Sequence, residues 1–142
     1  MACIYHKSAL AATTAADQAV AAAGLIDFDT NSVLTGCAIT HAAGSNSITL
    51  AKPGLYFATF NGDLSPTAAG DVTMQLIGNT VNIPGAEATV TGAAGDTYTA
   101  NFSKVIRVLP SCCAVDNTTV LQVQVSAAAT ISNANINVVK LA

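Results

Sequence analysis

The 142-residue sequence combines 51% hydrophobic residues with only 9% charged residues, and its net charge at neutral pH is −3. Because domain surfaces usually carry about 25–35% charged residues, we expect other subunits to cover part of this surface. The five basic residues are scattered along the chain, which excludes the basic patch of a nucleic-acid-binding protein. No apolar run reaches the ~18 residues that a membrane-spanning helix needs.

Residues 1–18 are predicted to form an N-terminal arm, followed by a single domain over residues 19–142, and the alanine-rich segment 9–23 is interpreted as an extended arm or an entry strand. This segment is rich in alanine and threonine, and it has no apolar stripe at helical spacing. The larger apolar residues of the arm are Ile4, Tyr5 and Leu10, which we expect to contribute little to the core and to contact an attachment partner.

The cysteines are expected to be free thiols. The N-terminus lacks the apolar core of a secretory leader, so we expect synthesis in a reducing cytoplasm. Cys3 and His6 have the spacing of metal ligands, and Cys112 and Cys113 could complete the set, but two adjacent cysteines share one metal poorly. We therefore interpret all four cysteines, including Cys37, as thiols without a metal.

Beyond the arm, short alternating apolar runs separated by turn signals predict about eight strands. The turn signals include Pro53-Gly54 and Pro84-Gly85. Short strands at this spacing are typical of an all-β sandwich. The predicted strands are 25–28, 33–40, 47–50, 55–60, 72–77, 97–109, 120–126 and 133–141.

The predicted strand at 55–60 is apolar on both faces. Tyr56, Ala58 and Phe60 point to one side, while Leu55 and Phe57 point to the other. One sandwich core covers only one of these faces. The second face is predicted to be a subunit interface, where aromatic residues concentrate, or to lie under a neighbouring loop.

No group of residues predicts catalysis or a metal site. The chain has two histidines, no Gly-x-Ser-x-Gly motif and no phosphate-binding loop. On a strand, Cys37 and His41 would lie about 13 Å apart, too far to share a zinc ion. Asp27 and Asp29 would lie about 6.6 Å apart, which suits an acid pair or calcium, but with no Trp, three Tyr and one Arg in the chain we interpret them as solvated acids. We expect no enzyme, no cofactor and no metal.

Three segments carry a resemblance to a known family. They are Pro53-Gly-Leu-Tyr-Phe-Ala58, Val72-Thr-Met-Gln-Leu-Ile-Gly-Asn-Thr-Val81 and Ala134-Asn-Ile-Asn-Val-Val-Lys-Leu141. Together they resemble the tumour-necrosis-factor-like jelly roll of the bacterial and phage type. That branch includes phage head-fibre and decoration proteins and the C-terminal domains of spore-surface collagen-like glycoproteins. The most specific element is the Gly-x-Tyr pair at Gly54 and Tyr56.

The resemblance implies an all-β, two-sheet jelly-roll sandwich that forms a homotrimer around an axis lined by apolar and aromatic side chains. It implies a core or trimer-interface position for Tyr56, Phe57, Phe60, Phe102 and Leu141. The chain departs from the family at 109–113, where a Gly-Asp turn is common. It also lacks a collagen stalk, which argues against the spore-surface branch.

We therefore expect a non-enzymatic structural protein of a bacteriophage virion, made in the host cytoplasm, of the capsid-decoration or head-fibre type. Its expected partners are its own copies and a capsid or other virion protein, with no nucleic acid and no membrane. Two alternatives stay open. One is a carbohydrate- or receptor-binding tip that uses loops 61–70 and 83–96, and the other is a bacterial spore or surface-layer component.

Overall fold

The computed structural model describes residues 7–14, 16–110 and 118–142, and within these ranges the chain forms strands and no helix. The strands build two antiparallel sheets that pack face to face as a jelly-roll sandwich. The strands are β1 (Ala9–Thr13), β2 (Gln18–Val20), β3 (Thr30–Thr35), β4 (Ile39–Thr40), β5 (Ile48–Leu50), β6 (Gly54–Pro66), β7 (Gly70–Gly78), β8 (Val81–Gly92), β9 (Tyr98–Val108), β10 (Thr119–Val125) and β11 (Ala129–Lys140).

The two sheets divide the strands in a jelly-roll order. Sheet I has the order β3-β1-β11-β6-β9, with β2 also pairing with β11, and sheet II has the order β4-β5-β10-β7-β8. Strands β1 and β11 pair along the whole of β1, so the first and last described strands lie side by side. The all-β two-sheet fold predicted from the sequence is confirmed.

The core lies between the sheets and follows the alternation of the strands. In β6, Tyr56, Ala58 and Phe60 are fully buried, as the sequence predicts. The ring of Phe60 stacks on that of Phe102 at a centroid distance of 5.2 Å and meets the ring of Phe28 edge-on at 6.5 Å. Burying a large apolar side chain contributes about 1.5–3 kcal/mol, so these rings are a substantial part of the core.

Strand β1 lies in sheet I, so residues 9–13 are the entry strand that the sequence leaves open, and not a free arm. It pairs with β11 on one side and β3 on the other, and its Leu10 and Ala12 are fully buried. The expectation that this segment contributes little to the core is therefore wrong for Leu10. Small side chains such as alanine fit a strand between two others but give no periodic apolar signal. Ile4 and Tyr5 lie outside the described residues.

The predicted strand at 25–28 forms only an isolated bridge between Leu25 and Gln124. The side chain of Gln18 accepts from the backbone N–H of Asp27 at 2.9 Å and donates to its carbonyl at 2.8 Å. A side chain thus takes the place that a neighbouring strand would fill. The predicted strand at 33–40 is likewise two strands, β3 and β4, because the chain turns at Gly36 with φ of +75°.

Strand β8 occupies a region in which the sequence predicts a turn at Pro84-Gly85. The register between β7 and β8 shifts there, between Gln75 and Ile77, so the proline lies at a bulge of an edge strand. A proline is tolerated at such a place because no ladder hydrogen bond needs its N–H. The side-chain amide nitrogen of Gln75 donates to the backbone carbonyls of Ile83 and Ala86 at 3.0 and 3.1 Å. These two carbonyls beside the bulge therefore have hydrogen-bond partners.

Candidate functional site

The outer face of sheet I carries a row of exposed apolar side chains. Ala9, Val139, Phe57 and Val105 stand opposite one another on β1, β11, β6 and β9, and we call these four the apolar row. Phe57 is 38% exposed and Val105 is 51% exposed. Contiguous apolar groups on one surface mark an interaction site, because isolated exposed apolar residues are common but a connected patch is not.

The residues predicted to line the core or an interface divide between the two faces of sheet I. Tyr56, Phe60 and Phe102 point into the sandwich and are buried. Phe57 lies on the outer face, and Leu141, which follows β11, is 49% exposed at the same end of the sheet. Phe57 and Leu141 are therefore available for contacts with another molecule.

The Gly-x-Tyr pair has a local structural reason. The hydroxyl of Tyr56 donates to the carbonyl of Lys52 at 2.6 Å, which holds the turn that leads into β6. Burial raises the pKa of the Tyr56 phenol, and the hydrogen bond to Lys52 lowers it in part. Gly54 has φ of +144°, and a Cβ there would collide with the carbonyl oxygen of Ala142. Glycine at this position lets the C-terminus pass directly over the turn.

Further along the same face, the apolar row gives way to amides. Asn135, Asn61 and Asn101 stand opposite one another on β11, β6 and β9, and we call these three the amide row. Phe57 and Asn61 are four residues apart on β6, so the two rows are about 13 Å apart along the strands. The face therefore changes from apolar to polar along its length.

Both ends of the described chain lie at the apolar end of this face. Ala9 begins β1 within the apolar row, and Leu55 donates its backbone N–H to the carbonyl of Ala142 at 3.0 Å. An open depression of about 340 Å³ lies beside them, lined by Leu55, Ala142, Arg107 and Pro110 among others. At the opposite end, the turn before β9 contacts the end of β6.

Among the described polar residues, His41 has a structural role. The ring of His41 has Nδ1 2.5 Å from the Asn31 side-chain oxygen and Nε2 2.9 Å from the carbonyl of Ser45, so it connects β3 to the turn after β4. Asp27 and Asp29 are exposed. The described residues contain no cluster of three or more His, Cys, Asp or Glu that is arranged to hold a metal ion.

Three of the predicted thiols lie outside the part of the chain that the structure describes. Cys37 is a free, partly exposed thiol in the turn between β3 and β4. Cys3, Cys112 and Cys113 are outside the described ranges, as is His6, so the predicted thiol state of these cysteines stays a prediction. Within those ranges, no helix has both the length and the apolar character to cross a membrane.

No family model and no curated protein matches the sequence. The structure is similar to the globular domain of zebrafish complement 1qA protein, with a TM-score of 0.72 and 11% identity over 96% of this chain and 98% of that one. It is similar to the Eiger TNF of S. frugiperda, with a TM-score of 0.65 and 12% identity over 96% and 93%. It is also similar to vertex protein P5 of PRD1, with a TM-score of 0.63 and 21% identity over 95% and 97%.

At these identities the shared property is the fold. The chain has the two-sheet sandwich of the tumour-necrosis-factor-like jelly roll, over nearly its whole length. The fold that the three sequence segments implied is confirmed.

Proposed function

We propose that this protein is a non-enzymatic structural component of a bacteriophage virion, which assembles as a homotrimer and decorates the capsid or forms the head of a fibre. The observation that carries this proposal is the apolar row on the outer face of sheet I. Because only 9% of its residues are charged, the chain has few charges that would keep copies with such an apolar face from associating in water. The face is therefore best explained as a surface that another protein covers.

A second copy of the chain is the binding partner that best fits this surface. The side chains of Phe57, Val105 and Val139 are apolar, and the same face of another copy presents the same apolar side chains. Homo-oligomers with closed rotational symmetry are the commonest assemblies of soluble proteins. The number three comes from the family resemblance, in which apolar and aromatic side chains line a three-fold axis.

The virion location is supported by one structural similarity. P5 is named as the vertex protein of PRD1, and its fold matches this chain from end to end. We carry that location over to this chain as part of the proposal.

Attachment to the particle is assigned to residues 1–6. They precede in sequence Ala9 of the apolar row, which lies at the same end of sheet I as Ala142. Ile4 and Tyr5 are the larger apolar residues of this segment. Leu10, which the sequence also suggested for attachment, is in the core and is no longer part of the assignment.

The receptor- or sugar-binding alternative has less support. It relied on residues 61–70 and 83–96 as loops, but 61–66 belong to β6 and 83–92 to β8. The spore or surface-layer alternative predicts a different location for the same assembly.

Peptide mass spectrometry of density-purified virions, compared with fractions of uninfected and infected host cells, tests the proposal. We expect the protein in virions at a copy number that is a multiple of three. Its absence from virions, or its enrichment in a spore or cell-surface fraction, would overturn the proposal.

A further inference from the structure

The basic residues are scattered along the sequence, but the fold brings four of them to one end of sheet I. Lys7 precedes the start of β1, which pairs with the end of β11, where Lys140 lies. Lys52 lies in the turn before β6, where its carbonyl accepts from Tyr56, and Arg107 lies near the end of β9, opposite the start of β6. Four neighbouring strands therefore each carry one cation at the same end. We call Lys7, Lys52, Arg107 and Lys140 the basic end.

The positive charges of the basic end are accessible and close together. Lys7, Lys52 and Arg107 are exposed, and the Nζ atom of Lys140 lies 6.0 Å from the centroid of the Tyr56 ring. Adjacent strands are about 4.8 Å apart, so the four strands span about 14 Å. Charges of one sign within such a distance produce a local positive potential, although the chain as a whole is acidic.

Four carboxylates lie at the opposite end of the sandwich. Asp63 is near the end of β6, and Asp71 is the second residue of β7. Asp96 follows the turn that donates to the carbonyl of Pro66, and Asp17 directly precedes β2, which pairs with the start of β11. We call Asp17, Asp63, Asp71 and Asp96 the acidic end.

The other described acids are also away from the basic end. The backbone of Asp27 is bonded to Gln18 of β2, and Asp29 precedes β3, whose first residue pairs with the last residue of β1. Glu87 lies midway along β8. The eighth acid, Asp116, lies outside the described residues.

The distance between the two ends keeps their charges separate. Lys140 stands opposite Tyr56 on β6, and Asp63 lies seven residues further along the same strand. This separation is about 23 Å. It exceeds the screening length of about 8 Å at physiological ionic strength, so the basic end and the acidic end act as two separate charged surfaces.

The basic end also has an apolar centre. Leu55 and Leu141 are 39% and 49% exposed and lie between β1 and β9, beside the open depression that Pro53, Val108 and Arg107 help to line. Apolar residues at the centre with charged residues around them are typical of a protein–protein interface. Nucleic-acid interfaces are more polar and much more positively charged, so a protein partner fits this surface better.

The acidic end of a second copy does not complement this surface. It supplies carboxylates, but none of the large apolar side chains that are exposed in the described part of the chain lies there. Stacking of copies end to end would therefore leave Leu55 and Leu141 without an apolar partner. The basic end favours a partner that combines carboxylates with an apolar group.

We propose that the basic end docks on an acidic surface of another virion protein, on which an apolar side chain is flanked by carboxylates. This inference rests on the attachment to a virion proposed above, and it names the chemistry of the partner. The apolar side chain packs beside Leu55, and the carboxylates face Lys52 and Arg107. An acidic particle surface attracts the basic end and repels the acidic end, so the acidic end points outward.

Charge reversal tests the proposal on particles that lack the native copy. Lys52→Glu changes an exposed side chain whose described hydrogen bond is made by its backbone carbonyl alone. We expect the dissociation constant for particles, measured by co-sedimentation at pH 7 and low salt, to rise about tenfold. We expect the wild-type protein to bind more weakly as the NaCl concentration rises, because salt screens exposed charges.

Lys104→Glu is the matched control. It makes the same charge change on β9 opposite Ala58, away from the basic end, and we expect wild-type binding. Circular dichroism checks that both variants are folded. Wild-type binding of folded Lys52→Glu would overturn the proposal, as would an equal loss in folded Lys104→Glu.

A second test needs no virion. The probe is a short synthetic peptide with a central leucine flanked by glutamates, titrated into the labelled protein and followed by NMR. We expect chemical-shift changes at Leu55, Arg107 and Leu141 and none at Asp63 or Asp96. A peptide with serine in place of glutamate is expected to bind more weakly. Equal shifts with both peptides, or no shifts at the basic end, would overturn the proposal.

Other partners give different results. Salt-sensitive growth beyond the trimer that both Lys52→Glu and Asp96→Lys abolish would assign the basic end to a second copy and overturn the proposal. Tighter binding of a DNA duplex than of the glutamate peptide at the same salt would overturn it as well. Absence of the protein from virions together with the expected peptide shifts would reject the proposed location and leave the chemistry of this surface intact.

Discussion

Tyr56 has a structural role that the sequence pattern does not indicate. The sequence pattern marks it as a core or interface residue, and the structure places its ring in the core and its hydroxyl on the carbonyl of Lys52. Its contribution is to hold the Pro53-Gly54 turn at the start of β6. Phe57, its neighbour in sequence, is the residue that faces outward.

Replacing the hydroxyl tests this role. Tyr56→Phe keeps the ring and removes the hydrogen bond, so we expect the free energy of unfolding to fall by about 0.5–1.5 kcal/mol. Because burial raises the pKa of the folded phenol, the unfolded chain ionises first as pH rises above about 10. The contribution of Tyr56 to stability is therefore present below that pH and is lost above it.

Denaturant titrations of both proteins from pH 7 to pH 11 measure this effect. We expect wild-type stability to decrease more steeply than that of Tyr56→Phe at the alkaline end. The other tyrosines are present in both proteins and cancel in the comparison. Parallel stability curves would contradict the assignment.

The turn between β7 and β8 contains a strained residue. Asn79 and Thr80 both have positive φ, +50° and +68°, which is the pattern of a type I′ hairpin turn. Asparagine suits the first position, but a β-branched residue is unfavourable at the second. We expect Thr80→Gly to raise the free energy of unfolding by about 1 kcal/mol, because it removes strain of about 1–3 kcal/mol at the cost of some chain entropy.

Thermal unfolding by calorimetry checks this expectation. Thr89→Gly, in the middle of β8, makes the same substitution at a position with ordinary strand geometry, and we expect it to destabilise. Equal shifts in the two variants would show that the turn is not strained.

At the scale of elements, strands with clear alternation were predictable and strands without it were not. The apolar alternation predicts strands that lie within β6, β7 and β10, and for 55–60 it also predicts the buried face. Strand β1 is made of alanine, leucine and threonine, and its burial depends on β3 and β11, which lie far away in sequence. No local pattern carries that information.

The sequence does not predict strand β8, and the reason is different. Pro84-Gly85 is a strong local turn signal, and the chain does bend there, but as a bulge within an edge strand. Whether a proline ends a strand depends on whether a neighbour needs its N–H, and this is a property of the sheet. The predicted strand at 25–28 is wrong in the opposite sense, because its backbone groups have partners of several kinds. Gln18 bonds the backbone of Asp27 through its side chain. Ile26 donates to Val123 in β10, and Phe28 donates to the carbonyl of Ser45 in a turn.

Two deletions separate the strand from the segment before it. Deleting residues 2–17 removes β1, with its buried Leu10, and we expect the protein not to fold. Deleting residues 2–6 leaves β1 in place, so we expect a nearly unchanged melting temperature but loss of retention on particles that lack the native copy. Leu10→Ala serves as a point control for the strand, with an expected loss of about 2–5 kcal/mol.

Differential scanning fluorimetry and co-sedimentation with particles measure these effects. If the 2–6 deletion still binds particles, attachment belongs to another part of the molecule. If the 2–17 deletion folds with wild-type stability, β1 is not part of the cooperative structure.

At the scale of the whole molecule, half of the candidate surface was predictable. The second apolar face of 55–60 indicated an interface, because both alternations in that segment are apolar. The sequence does not predict the amide row, because its three residues are widely separated in sequence. Only the register of three strands brings Asn61, Asn101 and Asn135 together. The alternating asparagines at 133, 135 and 137 were the available signal, and without a known sheet order it had no meaning.

Oligomeric mass is the most direct measurement at this scale. We expect light scattering to give about three times the subunit mass of 14.2 kDa, the multiple following from the family resemblance. Phe57→Asp places a carboxylate in the proposed contact, and we expect a folded subunit of lower oligomeric mass. Tyr56→Asp places the carboxylate in the core, and we expect unfolding.

The two variants thus distinguish an interface residue from a core residue one position apart. A wild-type protein that stays monomeric at micromolar concentration would contradict the expected trimer. Loss of folding in Phe57→Asp would show that its side chain is needed within the subunit.

The turn that precedes β9 has a practical consequence for displaying foreign peptides. Gly95 donates its N–H to the carbonyl of Pro66, which places this turn at the far end of β6 from Ala142. A side chain added at Gly95 would meet no atom within 4 Å. An epitope inserted beside Gly95 would point away from the end that carries Ala9 and Ala142, with free space around it. In the proposed assembly, the same epitope fused after Ala142 would lie on the proposed attachment side, where a particle would shield it from antibodies.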